Sequence, residues 1–151
     1  MKLKIFIFLI TFLLISSFFI SACSKIKVDS DSNRESINPG LVVKTYYESL
    51  DRKDYETMYY LISDGFKKIE PTANDFQTFK NYMGNFFDVA TGVEVVNVKE
   101  TSNNGKESTV DYTINILSQS GKKEFKSTFT LKKRETGWKL IHPYGDNIDT
   151  T

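Results

Sequence analysis

The spacing of apolar positions changes several times along this chain, and each change marks a boundary. Residues 5–19 are an almost unbroken run of Ile, Phe and Leu. Ser24 to Asn38 is polar and charged, with no apolar period, and reads as a flexible tether spanning roughly 20 Å. At Asn38-Pro39 a helical period begins, since Asn caps helices well and Pro suits the first helical position. Val42, Val43, Tyr46, Tyr47 and Leu50 then form one apolar stripe. Asp51 to Lys53 interrupt it, and Asp54 caps a short second helix carrying Met58, Tyr59, Leu61 and Ile62, which Asp64-Gly65 ends. Phe66 to Ile69 reads as a short strand or an irregular link. Pro71-Thr72 with Asp75 three residues on has the pattern of a capping box. It introduces a third helix with Phe76, Phe79, Tyr82, Met83, Phe86 and Phe87, closed by Thr91-Gly92.

Beyond Gly92 the period falls to two. Val93 to Ser102 is rich in Val, and Asn103-Asn104-Gly105 signals a tight turn. From Glu107 to Ser118, Val110, Tyr112, Ile114 and Ile116 alternate with Thr109, Asp111, Thr113 and Asn115. After Ser120-Gly121, Glu124 to Arg134 sets Phe125, Ser127, Phe129 and Leu131 on one face, with Lys126, Thr128, Thr130 and Lys132 on the other. Thr136-Gly137 turns into a last strand from Trp138 to His142. Strands joined by short turns form an antiparallel meander with one buried face. Helices first and strands afterwards imply an α+β domain, the helices packed on one side of a four-stranded sheet.

Composition changes the picture at the N-terminus. Lys2 and Lys4 precede the apolar run and small residues follow it, the layout of an export signal. The tetrad Ile20-Ser21-Ala22-Cys23 resembles the lipobox of bacterial lipoproteins. That resemblance implies a signal peptide over residues 1–22 and lipidation of Cys23, whose thiolate has the nucleophilicity a thioether requires. Two or three acyl chains, at about 0.8 kcal/mol per buried CH₂, would hold the chain at the membrane surface, facing the extracytoplasmic side. Retained instead, residues 5–22 would be about long enough to span a bilayer. Cys23 is the only cysteine, which leaves no internal disulfide and no Cys-based metal site.

Without Lys2 and Lys4 the chain carries 18 Lys and Arg against 19 Asp and Glu, a formal charge of −1. Nucleic-acid binding needs a basic face, and this balance gives no case for it. Seven Phe, eight Tyr and Trp138 remain after the apolar run, enough for one core. The organisation is then a leader (1–22), a lipidated tether (23–38), one domain (39–147) and a tail (148–151).

The order of elements carries a second resemblance. A capped first helix, Asp54-Tyr55 opening a second, a third helix, and a meander ending in Gly137-Trp138-Lys139-Leu140-Ile141 resemble the NTF2-like superfamily (cystatin-like, cone-shaped) over residues 39–145. Small exported lipoproteins occur in that group. The resemblance implies a curved sheet wrapped around the helices, with a pocket at the wide end of the cone. Tyr47, Tyr59, Phe79, Met83, Tyr112, Phe129, Trp138 and His142 are the candidate lining residues. The superfamily holds isomerases, dehydratases, transport factors and non-enzymatic binding or accessory domains, so fold alone does not set function.

Candidate chemistry is sparse. The inward faces of the second and third strands present no carboxylate and no histidine, and Asp111 falls on the outward phase. Asp64 and Asp88 sit at helix ends, where capping accounts for them. His142 is the only histidine; it shares a face with Trp138 and Leu140, and a lone His without a carboxylate partner is ordinarily structural. Buried Tyr normally finds a partner within its own protein. No phosphate loop, His-Glu-x-x-His or Gly-x-Ser-x-Gly motif occurs. Asp29, Asp31 and Asn33 mimic the start of an EF-hand loop, but Arg34 stands at its glycine and Gly40 at its bidentate glutamate. Lys122, Lys123, Lys126, Lys132 and Arg134 read as a solvated sheet edge guarded against strand pairing. The expectation is a membrane-tethered, non-enzymatic binding or accessory module without catalytic residue, metal or cofactor. Its partner would be a small apolar ligand or a cell-envelope protein. Two alternatives are an isomerase- or dehydratase-like enzyme using His142 and a pocket Tyr, and a structural domain with a filled cavity.

Overall fold

The computed structural model describes residues 38–144. Cys23, the leader, the Asp29–Asn33 motif and the tail lie outside them. Helix α1 (Pro39–Asp51) starts as the sequence predicts: the Asn38 side chain accepts the Leu41 N–H at 3.0 Å and Pro39 opens the helix. Its apolar stripe of Val42, Val43, Tyr46, Tyr47 and Leu50 is buried. The helix stops in a Schellman arrangement, with Lys53 N–H donating to Leu50 O and Asp54 N–H to Ser49 O. Lys53, at φ 59°, occupies the left-handed position where glycine is usual.

Helix α2 (Tyr55–Leu61) follows, capped by Asp54, which accepts from the Thr57 N–H and the Thr57 hydroxyl. Ile62 then bridges Leu140 in parallel, and Ser63 caps a third helix, α3 (Asp64–Ile69). Asp64-Gly65 therefore lies inside a helix instead of ending one, and Phe66 to Ile69 is helical, neither strand nor link. The physical reason is Ser63. Its hydroxyl accepts the Phe66 N–H at 2.9 Å, while Asp64 in the first turn and Lys67 and Lys68 in the last complement the helix dipole.

A 3₁₀ turn (Pro71–Ala73) leads to α4 (Phe76–Gly84). Here Asp75 is itself the cap, accepting the Thr78 N–H at 2.9 Å, in place of the expected Thr72–Asp75 box. Phe86 and Phe87 fall in a second 3₁₀ turn (Asn85–Asp88) beyond the α-helix.

The sheet is β1 (Gly92–Asn103), β2 (Glu107–Ser118), β3 (Gly121–Arg134) and β4 (Gly137–Leu140), antiparallel throughout in the order β1-β2-β3-β4. Register shifts at Val95/Asn97 and Glu100/Ser102 bulge β1, which bends a strand, and the sheet curves around the helices. Gly105, at φ 83°, takes the backbone of the β1–β2 turn where a side chain would be strained. The inward residues of β2 and β3 meet α1 and α2 in one core containing Val43, Met58, Ile62, Val110, Leu131 and Leu140. Two expectations for the sheet are corrected. β4 ends at Leu140, so His142 lies beyond it. Phe125, on the inward phase, is 46% exposed, because it stands near the β2–β3 turn, toward the end of the sheet.

Candidate functional site

The concave face of the sheet and α1 bring four aromatic rings together. Tyr47 lies 4.9 Å from Tyr112 between ring centroids, and Tyr112 stacks on Phe129 at 5.1 Å. Tyr46 meets Tyr47 edge-on at 5.5 Å and Phe129 at 6.1 Å. Burial pushes the Tyr46 and Tyr47 phenols well above the ordinary tyrosine value, and Tyr112 adds to both shifts; for Tyr47 part of that is a hydrogen bond with Tyr112. Such phenols stay protonated. They can donate hydrogen bonds but cannot serve as bases near neutrality.

The remaining candidates divide. Phe79 is buried beside half-buried Tyr59, with centroids 5.4 Å apart, and Met83 packs against the same core. Trp138 is buried and lines a cavity of about 320 Å³ with Asn38, Pro39, Glu100 and Lys133, below the start of α1. Tyr112 also borders a cavity of about 390 Å³ on the sheet, among Lys99, Asp111 and Lys126. Ring contacts thus gather Tyr47, Tyr112 and Phe129 in one part of a single core and Tyr59 with Phe79 in another.

His142 does have a carboxylate partner, which sequence reasoning missed. Its Nε2 lies 3.3 Å from Oε2 of Glu70, its ring packs edge-on to Phe66 at 5.0 Å, and its side chain is only 10% exposed. The Tyr144 N–H donates to Nδ1 at 3.2 Å. Nδ1 therefore supplies a lone pair, and Nε2 carries the proton given to Glu70. Thr72 hydrogen bonds, with a smaller contribution from His142, hold the Glu70 carboxyl below the usual range. With both ring nitrogens engaged, the pair ties the chain after β4 to the segment after α3. Glu70 is 72 residues away, and no local signal could have paired the two.

The sequence also gave no warning of Lys139. On the opposite face of β4 from Trp138 and Leu140, it is buried, and it borders a cavity of about 490 Å³ with Tyr60, Ser63, Lys67, Glu135 and Thr136. Among the described residues no cluster of three or more His, Cys, Asp or Glu could hold a metal, and no helix is long and apolar enough to cross a membrane. The basic stretch on β3 is partly paired, Lys122 to Glu94 at 3.3 Å and Lys126 to Glu124 at 2.8 Å.

Helices cradled by a bent four-stranded meander, with an aromatic interior, define an NTF2-like α+β domain. A family model described as a SnoaL-like domain matches residues 41–144, and the chain belongs to that family. No curated protein matches. Among solved structures, the chain is similar to a sec-c motif containing protein from Psychrobacter arcticus at 13% identity and TM-score 0.54, covering 78% of this chain and 65% of that one. It is also similar to an NTF-2 like protein of unknown function from Shewanella oneidensis MR-1 at 10% identity and TM-score 0.51, covering 66% and 89%. Likeness at these identities shows the fold alone.

Proposed function

We propose that this protein is a membrane-anchored, extracytoplasmic lipoprotein whose SnoaL-like domain is a non-enzymatic binding or accessory module, serving a small apolar ligand or a cell-envelope protein. The observation that carries the non-enzymatic part is the interior. Tyr46, Tyr47, Tyr112 and Phe129 pack ring against ring, the phenols are held protonated, and no carboxylate or imidazole stands in that ring cluster. Proton transfer needs a group whose pKa lies near the working pH. The anchor rests on sequence: an apolar run, small residues, then Cys23.

Mass spectrometry of membrane fractions tests the anchor. The expected N-terminal peptide begins at acylated Cys23, and Cys23→Ser abolishes acylation and cleavage there; a mature N-terminus elsewhere overturns the lipoprotein reading. For the module, titration with a hydrophobic fluorophore, followed through Trp138, is expected to saturate and to weaken severalfold in Tyr112→Ala. A flat titration favours the purely structural reading with a filled interior. The enzyme reading has one observation in its favour, the His142–Glu70 contact. Its test is whether His142→Gln abolishes enolisation of small ketones by the purified chain; the occupied Nδ1 leads us to expect no such activity to lose.

A further inference from the structure

Lysine is almost never fully buried unless paired. Lys139 is 7% exposed, and among the described residues no carboxylate lies within ion-pair distance of it. Its Nζ donates to the Tyr60 carbonyl at 2.5 Å and sits 3.3 Å from the centroid of the Tyr60 ring. The cause is topological. The Ile62–Leu140 bridge and the Ser63 N–H bond to Leu140 O set Ile62 alongside β4, and the carbonyl and ring of Tyr60 come to lie over the Lys139 side chain.

The groups that face the amine come from three parts of the chain. Tyr60 belongs to α2, Asp64 and Lys67 to α3, and Arg134 and Glu135 to the β3–β4 corner. Lys67 is paired with Asp64 at 3.1 Å and lies over the Tyr59 ring at 4.6 Å. Burial first, then the Lys67 charge, bring the Lys139 ammonium down to about 8, against a smaller opposing effect of Asp64. A desolvated lysine beside a second cation is the environment that makes an amine nucleophilic. This one opens on a cavity of about 490 Å³, large enough for a small metabolite.

We propose that this cavity takes a small aldehyde or ketone carrying an anionic group, and that Lys139 holds it covalently as an imine. The amine lone pair adds to the carbonyl carbon, and the C=O π pair moves to oxygen, which takes the proton shed by nitrogen. The carbinolamine then loses water: nitrogen forms the C=N bond as the hydroxyl leaves with a proton from solvent, and the remaining N–H proton returns to solvent. One amine and one carbonyl give one imine and one water, with no change of oxidation state. Lys67 receives the anionic group. The ligand's charge then adds to that of Asp64, the existing partner of Lys67, in offsetting the Lys67 ammonium near the imine nitrogen.

The inference does not depend on the anchor at Cys23, since the cavity is built entirely within the folded domain. The full chain, treated with glyoxylate and cyanoborohydride at pH 7, tests it by peptide mapping. A lysine at about 8 holds on the order of a hundredfold more free amine at pH 7 than an ordinary lysine. Lys139 is therefore expected to be alkylated at least tenfold faster than exposed Lys99 or Lys106, with a rate midpoint near pH 8. Lys139→Arg removes that adduct, and Lys67→Gln slows it at pH 7 and moves the midpoint upward. Uniform alkylation of surface lysines, or a Lys139 midpoint at the free-lysine value of about 10.4, overturns the proposal. Equal rates for glyoxylate and propionaldehyde overturn the anionic-group requirement. If Lys139→Arg fails to fold, the mapping of the unaltered chain still decides.

Discussion

Where β1 begins, Asp51 and Gly92 touch. Oδ1 of Asp51 accepts the Val93 N–H at 2.9 Å, and a Cβ on Gly92 would lie 2.8 Å from that same oxygen. Gly92→Ala therefore has to push the carboxylate off its hydrogen bond, and Asp51→Ala leaves the Val93 N–H without it. Each is expected to cost about 1–3 kcal/mol, the range for a buried donor left unmade. Because both act through one contact, the double substitution should cost clearly less than their sum; urea-denaturation midpoints of the four proteins measure this, and full additivity would show that the contact does not join the two. Residues of this kind mark the limit of reading a sequence. Gly92 is legible as a helix stop, but its need for space comes from Asp51 at the far end of α1. His142 likewise stands out as the only histidine, while Glu70 does not, because burial and not local pattern brings them together.

The helices show a finer gradation of what the sequence carries. Asp54 with Thr57 and Asp75 with Thr78 make the same cap, side-chain oxygens of Asp taking both the N–H and the hydroxyl of the Thr three residues on. That repeated Asp-x-x-Thr was available as a start signal. At Asp75 it was obscured by the Pro71-Thr72 pattern just before it. Ser63 is masked by Asp64-Gly65, commonly a stop, yet its hydroxyl starts α3 and its N–H donates to Leu140 O at 2.9 Å. Ser63→Ala removes only the cap and should cost about 1 kcal/mol. Ser63→Asp, which restores a side-chain acceptor, should recover part of it in thermal melts, unless burial of the new charge outweighs the cap. The strands were legible almost residue by residue, since a period of two with Asn-Gly and Ser-Gly turns admits few other readings. What alternation could not tell was that the outward face of β4 is covered. It sorts residues into two faces and says nothing of a distant contact such as Tyr60 over Lys139.

Over the whole molecule, these environments set how stability depends on pH. Hydrogen bonds from Thr57, Thr72, Thr78 and Asn115 lower the carboxyls of Asp54, Glu70, Asp75 and Glu94 respectively. Their folded values lie below the unfolded ones, so the stability they contribute is present above about pH 4 and is lost as the pH falls through the folded values. Tyr46 and Tyr47 lie at the other end. Raised by burial above the ordinary 10, they contribute fully below that pH and lose the contribution above it, when the unfolded chain can release protons the folded chain keeps. Lys139 has the opposite sign. The unfolded chain holds its proton up to 10.5, the folded chain only to about 8, so unfolding takes up a proton in between and stability climbs with pH, by at most about 1.4 kcal/mol per unit. Chemical denaturation from pH 3 to 11 is expected to show an acid loss below pH 4, a rise from pH 8 toward 10 and a fall beyond it. Lys139→Met should remove the rise and Tyr46→Phe should soften the fall. A curve already declining from pH 8 would place the Lys139 amine among ordinary solvated lysines, and the cavity beside it would then lack the free amine that sets it apart.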